Sequence, residues 1–168
     1  MTAPIEAEEG VVPVSYHTFW LADTAVPGPT LPYDDTNGLI VAQPGIALVF
    51  TGIHTGGVNV RVEVFDDAPL LNTADWDEVV EVSIESTEGR IVVTGMHADA
   101  PDNLPVLTPD GEGWYRLRIH ARGRDTAVDL SPPQPVEDYL IQVWPTAEEQ
   151  PENAYKHTDG YGASKRAK

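Results

Sequence analysis

The stretch that decides the fold is Gly113-Trp-Tyr-Arg-Leu-Arg-Ile-His-Ala-Arg-Gly-Arg-Asp125, followed by a Pro-rich connection and Glu137-Asp-Tyr-Leu-Ile-Gln-Val-Trp-Pro145. In its first half Tyr115, Leu117, Ile119 and Ala121 alternate with Arg116, Arg118, His120 and Arg122. Successive strand side chains point to opposite faces, so the pattern predicts one apolar and one cationic face. Tyr139 to Trp144 is apolar almost throughout and predicts a central strand or one covered on both faces. The two halves predict the core strands of an antiparallel β domain.

Working outward, the same rules predict a first strand over residues 11–21, with Pro13 favouring an edge position or a strand beginning because it lacks a ladder donor. Residues 26–38 carry three prolines, two glycines, Asp34 and Asp35, and read as a long turn-rich loop. Residues 39–42 and 46–50 follow as strands around Gln43-Pro44-Gly45, and the wholly apolar 46–50 run predicts a central strand. Val58, Val60, Val62 and Val64 alternate with Asn59, Arg61 and Glu63, the signature of a half-buried strand. Residues 78–85 and 90–94 are expected to pair as a hairpin around Ser86-Thr87-Glu88-Gly89. A short edge strand is expected at 105–107.

The resulting fold class is all-β, an antiparallel β-sandwich of jelly-roll-like form with seven to nine strands. Its core should hold Val60, Val62, Val82, Leu117, Ile119, Ile141 and Val143. A chain of 168 residues suits one domain, assigned to residues 11–145 between a flexible N-terminus (1–10) and a flexible polar tail (146–168).

The net charge of −17 is unevenly distributed. No Lys or Arg precedes Arg61, and through Tyr115 only Arg61 and Arg90 oppose nineteen acids. Such a field repels phosphates, so nucleic acid and anionic membranes are poor partners, while it permits a basic protein, cations or a neutral ligand, and keeping a small β protein soluble is an equal reading of the acidity. Loop acids without an arginine nearby in sequence are the candidate partner-binding residues: Asp34, Asp35, Asp66, Asp67, Asp75, Asp77 and Glu78. The Arg116, Arg118, His120 and Arg122 stripe could clamp an anion, since guanidinium forks match carboxylates and phosphates. It could equally pair across strands with Glu63, Glu81 or Glu85, which is the reading preferred in so acidic a chain.

Cysteine is absent, which removes disulfides and thiolate chemistry. The five histidines show no metal-ligand spacing, and the acids at 66–67 and 97–102 lack an EF-hand pattern, so no metal or cofactor is expected. No nucleophile elbow, P-loop or dinucleotide fingerprint is present, and the chain is not expected to be an enzyme. The N-terminus lacks the basic and apolar regions of a signal peptide, and no segment has the length of a membrane span, so a cytoplasmic location is expected.

Val14-Ser15-Tyr16-His17-Thr18-Phe19, with Trp114-Tyr115-Arg116-Leu117 and Asp138-Tyr139-Leu140-Ile141, resembles the bacterial competence protein ComJ family. The family consists of small acidic cytoplasmic β proteins that inhibit a nuclease of DNA uptake. The resemblance covers the two ends of the chain, while Arg122-Gly123-Arg124-Asp125 and the basic tail depart from it. It implies an inhibitor or immunity-type protein that occupies the basic cleft of a nuclease by mimicking a polyanion. Two other classes stand beside it: a carbohydrate- or small-ligand-binding sandwich, suggested by Trp20, Tyr33, Trp76, Trp114, Tyr155 and Tyr161, and a non-catalytic accessory or scaffold protein.

Overall fold

In the computed structural model, residues 3–34, 36–96 and 100–167 are described. Among the described residues ten strands form two sheets: β1 (Glu6–Val14), β2 (Thr18–Asp23), β3 (Ile40–Gln43), β4 (Ile46–Phe50), β5 (Gly56–Val64), β6 (Glu78–Ser86), β7 (Ile91–Thr94), β8 (Gly113–Arg122), β9 (Asp138–Pro145) and β10 (Asn153–His157). One sheet has the order β1-β5-β9-β8-β6-β10 and the other β3-β4-β2-β7. Every pairing is antiparallel except β5 with β9, which run parallel with Val60 opposite Tyr139 and Val64 opposite Val143.

One apolar core joins both sheets. Phe19, Leu21, Ile40 and Val49 from the smaller sheet meet Val60, Val62, Val82, Leu117, Ile119, Ile141 and Val143 from the larger. All seven residues expected in the core are buried. The alternation read in β5 and β8 therefore faces as expected, and β4 and β9 are interior strands of their sheets. Gly45, at φ +77°, makes the β3–β4 turn that the Pro-Gly pair predicts. A smaller cluster of Trp20, Ala22, Ile46 and Leu48 lies on the other face of the smaller sheet, under Val26 and Tyr33 of the long loop.

The structure departs from the sequence reading at four places. The predicted strand over 11–21 is two strands in different sheets, because Ser15 and Thr18 exchange backbone bonds of 3.1 Å around Tyr16 (φ 51°) and His17 (φ 66°). Two central residues with positive φ are the mark of a type I′ hairpin turn, but Tyr-His lacks the Asn-Gly sequence that usually announces one. The expected pairing of 78–85 with 90–94 does not form. β6 stays in the larger sheet and β7 joins β2 in the smaller, so the intervening turn carries the chain between sheets.

Asp23 holds that turn. Its carboxylate accepts from the Ser86 hydroxyl (2.9 Å), the Thr87 N–H (2.7 Å) and hydroxyl (3.1 Å), the Glu88 N–H (3.2 Å) and the Arg90 N–H (3.0 Å). Burial alone would raise its pKa, but the bonds from Ser86, Thr87, Arg90 and Glu88 outweigh it and hold the carboxyl below its usual range.

Among the described residues, 105–107 form no edge strand, and Leu107 N–H donates to the Ile91 carbonyl (2.9 Å). Finally, residues 6–10 belong to β1, and the tail holds β10 and helix α1 (Gly160–Arg166). The tail is tied down by buried charge. Arg124 grips Asp159 through Nε (2.7 Å) and Nη2 (2.9 Å), while its Nη1 donates to the carbonyls of Gly38 (2.8 Å) and Phe50 (3.0 Å). Asp159 also caps α1 by accepting from Gly162 N–H at 2.8 Å. Gly52 has to be glycine at this junction, since a Cβ there would lie 1.9 Å from the Arg124 carbonyl oxygen.

Candidate functional site

β8 places Arg116, Arg118 and His120 on the face turned away from the core, as the alternation predicts. The face is nevertheless covered. Arg116 is 1% exposed, Arg118 5% and His120 1%, because residues 69–76 and 150–151 lie across them. Glu81, directly opposite Arg118 on β6, divides its carboxylate between Arg116 Nε and Arg118 Nε at 2.9 Å each. Arg116 also donates to Ser83 Oγ (2.9 Å) and to the carbonyls of Gln150 (3.0 Å) and Pro151, and Arg118 donates to the Pro69 carbonyl and Gln142 Oε1 at 3.1 Å each.

His120 Nδ1 lies 3.0 Å from the Leu140 carbonyl and the ring packs near Trp76. Burial, reinforced by Arg118, pushes its pKa from the usual 6.5 to about 4. Arg122, on the rim, pairs with Asp138 (2.9 Å) and lies over Trp76 at 4.6 Å. The stripe is thus tied into the fold by internal partners.

The candidate acids fall into three groups. Asp34 is exposed and shares a groove of about 230 Å³ with Glu149 and Glu152. Asp66, Asp67 and Asp75 are exposed on the connection between β5 and β6, and Asp77 at its end is half-buried, accepting from Gly123 N–H at 3.1 Å. Glu78 does not belong with them. It is fully buried and binds Arg166 (3.0 Å), His157 (3.0 Å), Asp159 N–H (3.1 Å) and, at 3.6 Å, Arg124. Sequence distance concealed this, because its cations come from 46 or more residues downstream. Asp35 lies outside the described residues. Among the described residues no three metal-ligating side chains converge.

A site not anticipated from sequence lies at one end of the two sheets, around the tight turn between β1 and β2. His17 Nδ1 faces the Thr51 carbonyl at 2.8 Å, and its Nε2 faces Asp129 Oδ1 at 2.9 Å. Tyr161 of α1 stacks on the His17 ring at 5.6 Å with planes 9° apart, and Tyr16 meets His54 edge-on at 5.3 Å. Below them is a cavity of about 370 Å³ lined by Tyr16, His17, Tyr33, Phe50, Asp129 and Lys165, among others. Tyr16, His17 and Asp129 (φ 63°) are the non-glycine residues with positive φ among the described residues. His and Asp tolerate that conformation, whereas a bulky Tyr rarely adopts it.

Two solved structures have this architecture. ComJ, inhibitor of the DNA degrading activity of NucA, from Bacillus subtilis, is 16% identical, covers 87% of this chain and 99% of its own, and superposes with a TM-score of 0.54. This chain has the ComJ fold. The protein of crocagin biosynthetic gene J is 18% identical over 83% of this chain and 97% of its own, with a TM-score of 0.52. No family model matches the chain. In sequence, 92 residues are 32% identical to arginine decarboxylase of Bacillus cereus, which covers 52% of this chain. The chain matches only 20% of that relative's length. The segments that resemble the ComJ family fall in the β1–β2 turn, β8 and β9.

Proposed function

We propose that this chain is an inhibitor or immunity-type protein that binds a basic partner, with a nuclease as the first candidate. The observation that carries this reading is the fate of the positive charge. Arg116, Arg118 and Arg124 are buried against Glu81, Asp159 and Glu78, and Arg61, Arg122 and Arg166 are each paired with an acid of the same chain. Six of the ten Lys and Arg are thus engaged by acids of the same chain, and against 27 Asp and Glu the exposed loops present an anionic field. A nuclease binds phosphates through basic groups, and such a field is complementary to them. The ComJ-like fold supports the same reading through the inhibitory role of that protein.

The small-ligand reading has one structural feature in its favour, a groove of about 450 Å³ over β1, β5 and β9 lined by Asn59, Arg61, Trp76, Arg122 and Asp138. The Arg122 guanidinium already lies over its one tryptophan, so the stacking platform a sugar would use is taken. The test is a DNA-degradation assay in which the purified chain is titrated against NucA and other basic nucleases. Inhibition that saturates near one chain per nuclease supports the proposal, and unchanged degradation at large excess overturns it.

A further inference from the structure

Resting on the reading that the partner is a basic protein, we infer that the connection between β5 and β6 (residues 65–77) is the docking loop. Leu70 and Leu71 enter an apolar recess of the partner, and Asp66, Asp67 and Asp75 meet basic groups around that recess. Leu70 is 70% exposed and Leu71 42%. Among the described residues no other two consecutive large apolar side chains are both exposed. Single exposed leucines are ordinary on a protein surface, so the pair alone decides nothing. The way its loop is held decides more.

The loop contains no helix or strand, yet cations from two strands grip its backbone. Arg118, buried on β8, donates through Nη1 to the carbonyls of Pro69 (3.1 Å) and Leu70 (3.4 Å). Arg122, also on β8, donates to the Asp75 carbonyl at 3.3 Å, and Lys156 of β10 donates from Nζ to the Thr73 carbonyl at 3.0 Å. Pro69 is itself buried, and the Trp76 ring lies near His120 and under the Arg122 guanidinium. Two members of the arginine stripe therefore spend donors on this loop. Its carbonyls are fixed at residues 69, 70, 73 and 75, on both sides of the leucine pair. A backbone ordered in advance loses less entropy when it binds.

Covering the stripe accounts for the held carbonyls and for buried Pro69. It does not account for apolar side chains on the solvent side, where Asp66, Asp67, Asn72 and Asp75 are also exposed. A leucine as exposed as Leu70 adds little burial to the fold, whereas an interface uses an apolar centre within a polar rim. The rim here has one sign. Residues 65–77 contain Asp66, Asp67, Asp75 and Asp77 and no Lys or Arg. That charge selects a basic partner, and the leucines require an apolar recess among its cations.

Two arms test the inference with the full chain. In the first, amide and methyl NMR resonances are followed during titration with acetyl-Arg-Phe-Phe-Arg-amide and, separately, with acetyl-Arg-Gly-Gly-Arg-amide. Shifts centred on Leu70 and Leu71, larger for the phenylalanine peptide, are expected. Shifts centred on another part of the chain, or equal for the two peptides, overturn the inference. In the second arm, the Leu70→Ser/Leu71→Ser double variant binds NucA and other basic nucleases in stopped flow, beside Leu130→Ser, a control on an exposed leucine of the β8–β9 connection. Neither variant changes charge, so association should match wild type. Dissociation of the double variant should quicken about 30-fold, the scale of a hot-spot contact. Its melting temperature and the control's dissociation should match wild type. Wild-type dissociation of the double variant overturns the docking loop and leaves the inhibitor reading standing. A clear fall in its melting temperature assigns the leucines to the fold and also overturns the inference. A wild-type chain that binds no nuclease, yet gathers the phenylalanine peptide at Leu70 and Leu71, overturns the nuclease and supports the loop.

Discussion

Arg124 and Asp159 form a two-pronged ion pair in which both side chains are almost wholly buried, and this pair fixes the C-terminal tail to the two sheets. Removing one partner of a buried pair strands the other charge, a loss of about 3–5 kcal/mol. Asp159→Ala should lower stability by that order in urea unfolding, and it should expose α1 to limited proteolysis before the sheets open. Retention of wild-type stability would show that the tail is not held by this contact.

His120 makes stability depend on pH. Its folded pKa of about 4 lies below the usual 6.5, so between those values the unfolded chain binds more protons than the folded one. The contribution is complete above pH 6.5 and is lost as pH falls toward 4, by about 3 kcal/mol for a shift of this size. His120→Asn keeps a donor for the Leu140 carbonyl and removes the titration. Urea midpoints measured from pH 7 to pH 4 should therefore fall less in the variant than in wild type.

Asp23 contributes a pH dependence of the opposite molecular origin. Its folded pKa lies below the usual 3.8, so its stabilisation is present above that value and is lost as pH falls through the folded value. Asp23→Asn leaves one acceptor oxygen for five donors and should cost about 1–3 kcal/mol at neutral pH. The same variant should lose less stability than wild type below pH 4, which acid unfolding followed by circular dichroism would measure.

The connection at 65–77 separates function from folding. Asp66, Asp67 and Asp75 are exposed, and their mutual repulsion does not help the fold. Asn at all three should leave the melting temperature unchanged or higher while slowing association with a basic nuclease. A variant that associates at the wild-type rate would remove these acids from the encounter.

Much of the architecture was legible because it follows from period-two alternation. Val58 to Val64 and Tyr115 to Ala121 announce both the strand and the buried face, and Pro13 announces the edge position that β1 occupies. What sequence concealed were the places where a side chain does the work of a backbone turn signal. Tyr16-His17 forms a tight turn without Asn or Gly, and it is held by contacts to Thr51 and Asp129 that lie 34 and 112 residues away. Ser86 to Gly89 reads as a hairpin, but Asp23 redirects it into the second sheet. Glu78 reads as a loop acid because the arginines that bury it are distant in sequence. The Tyr16–Asp129 end was invisible for the same reason, since only the fold brings its residues together.

The most direct test of the account is the association rate of the chain with a basic nuclease measured by stopped flow as salt is raised. Electrostatic steering fades as the Debye length shortens from ~10 Å at 0.1 M to ~3 Å at 1 M. The account predicts a steep fall in association rate across that range, with a much smaller change in dissociation. An association rate that ignores salt would contradict it.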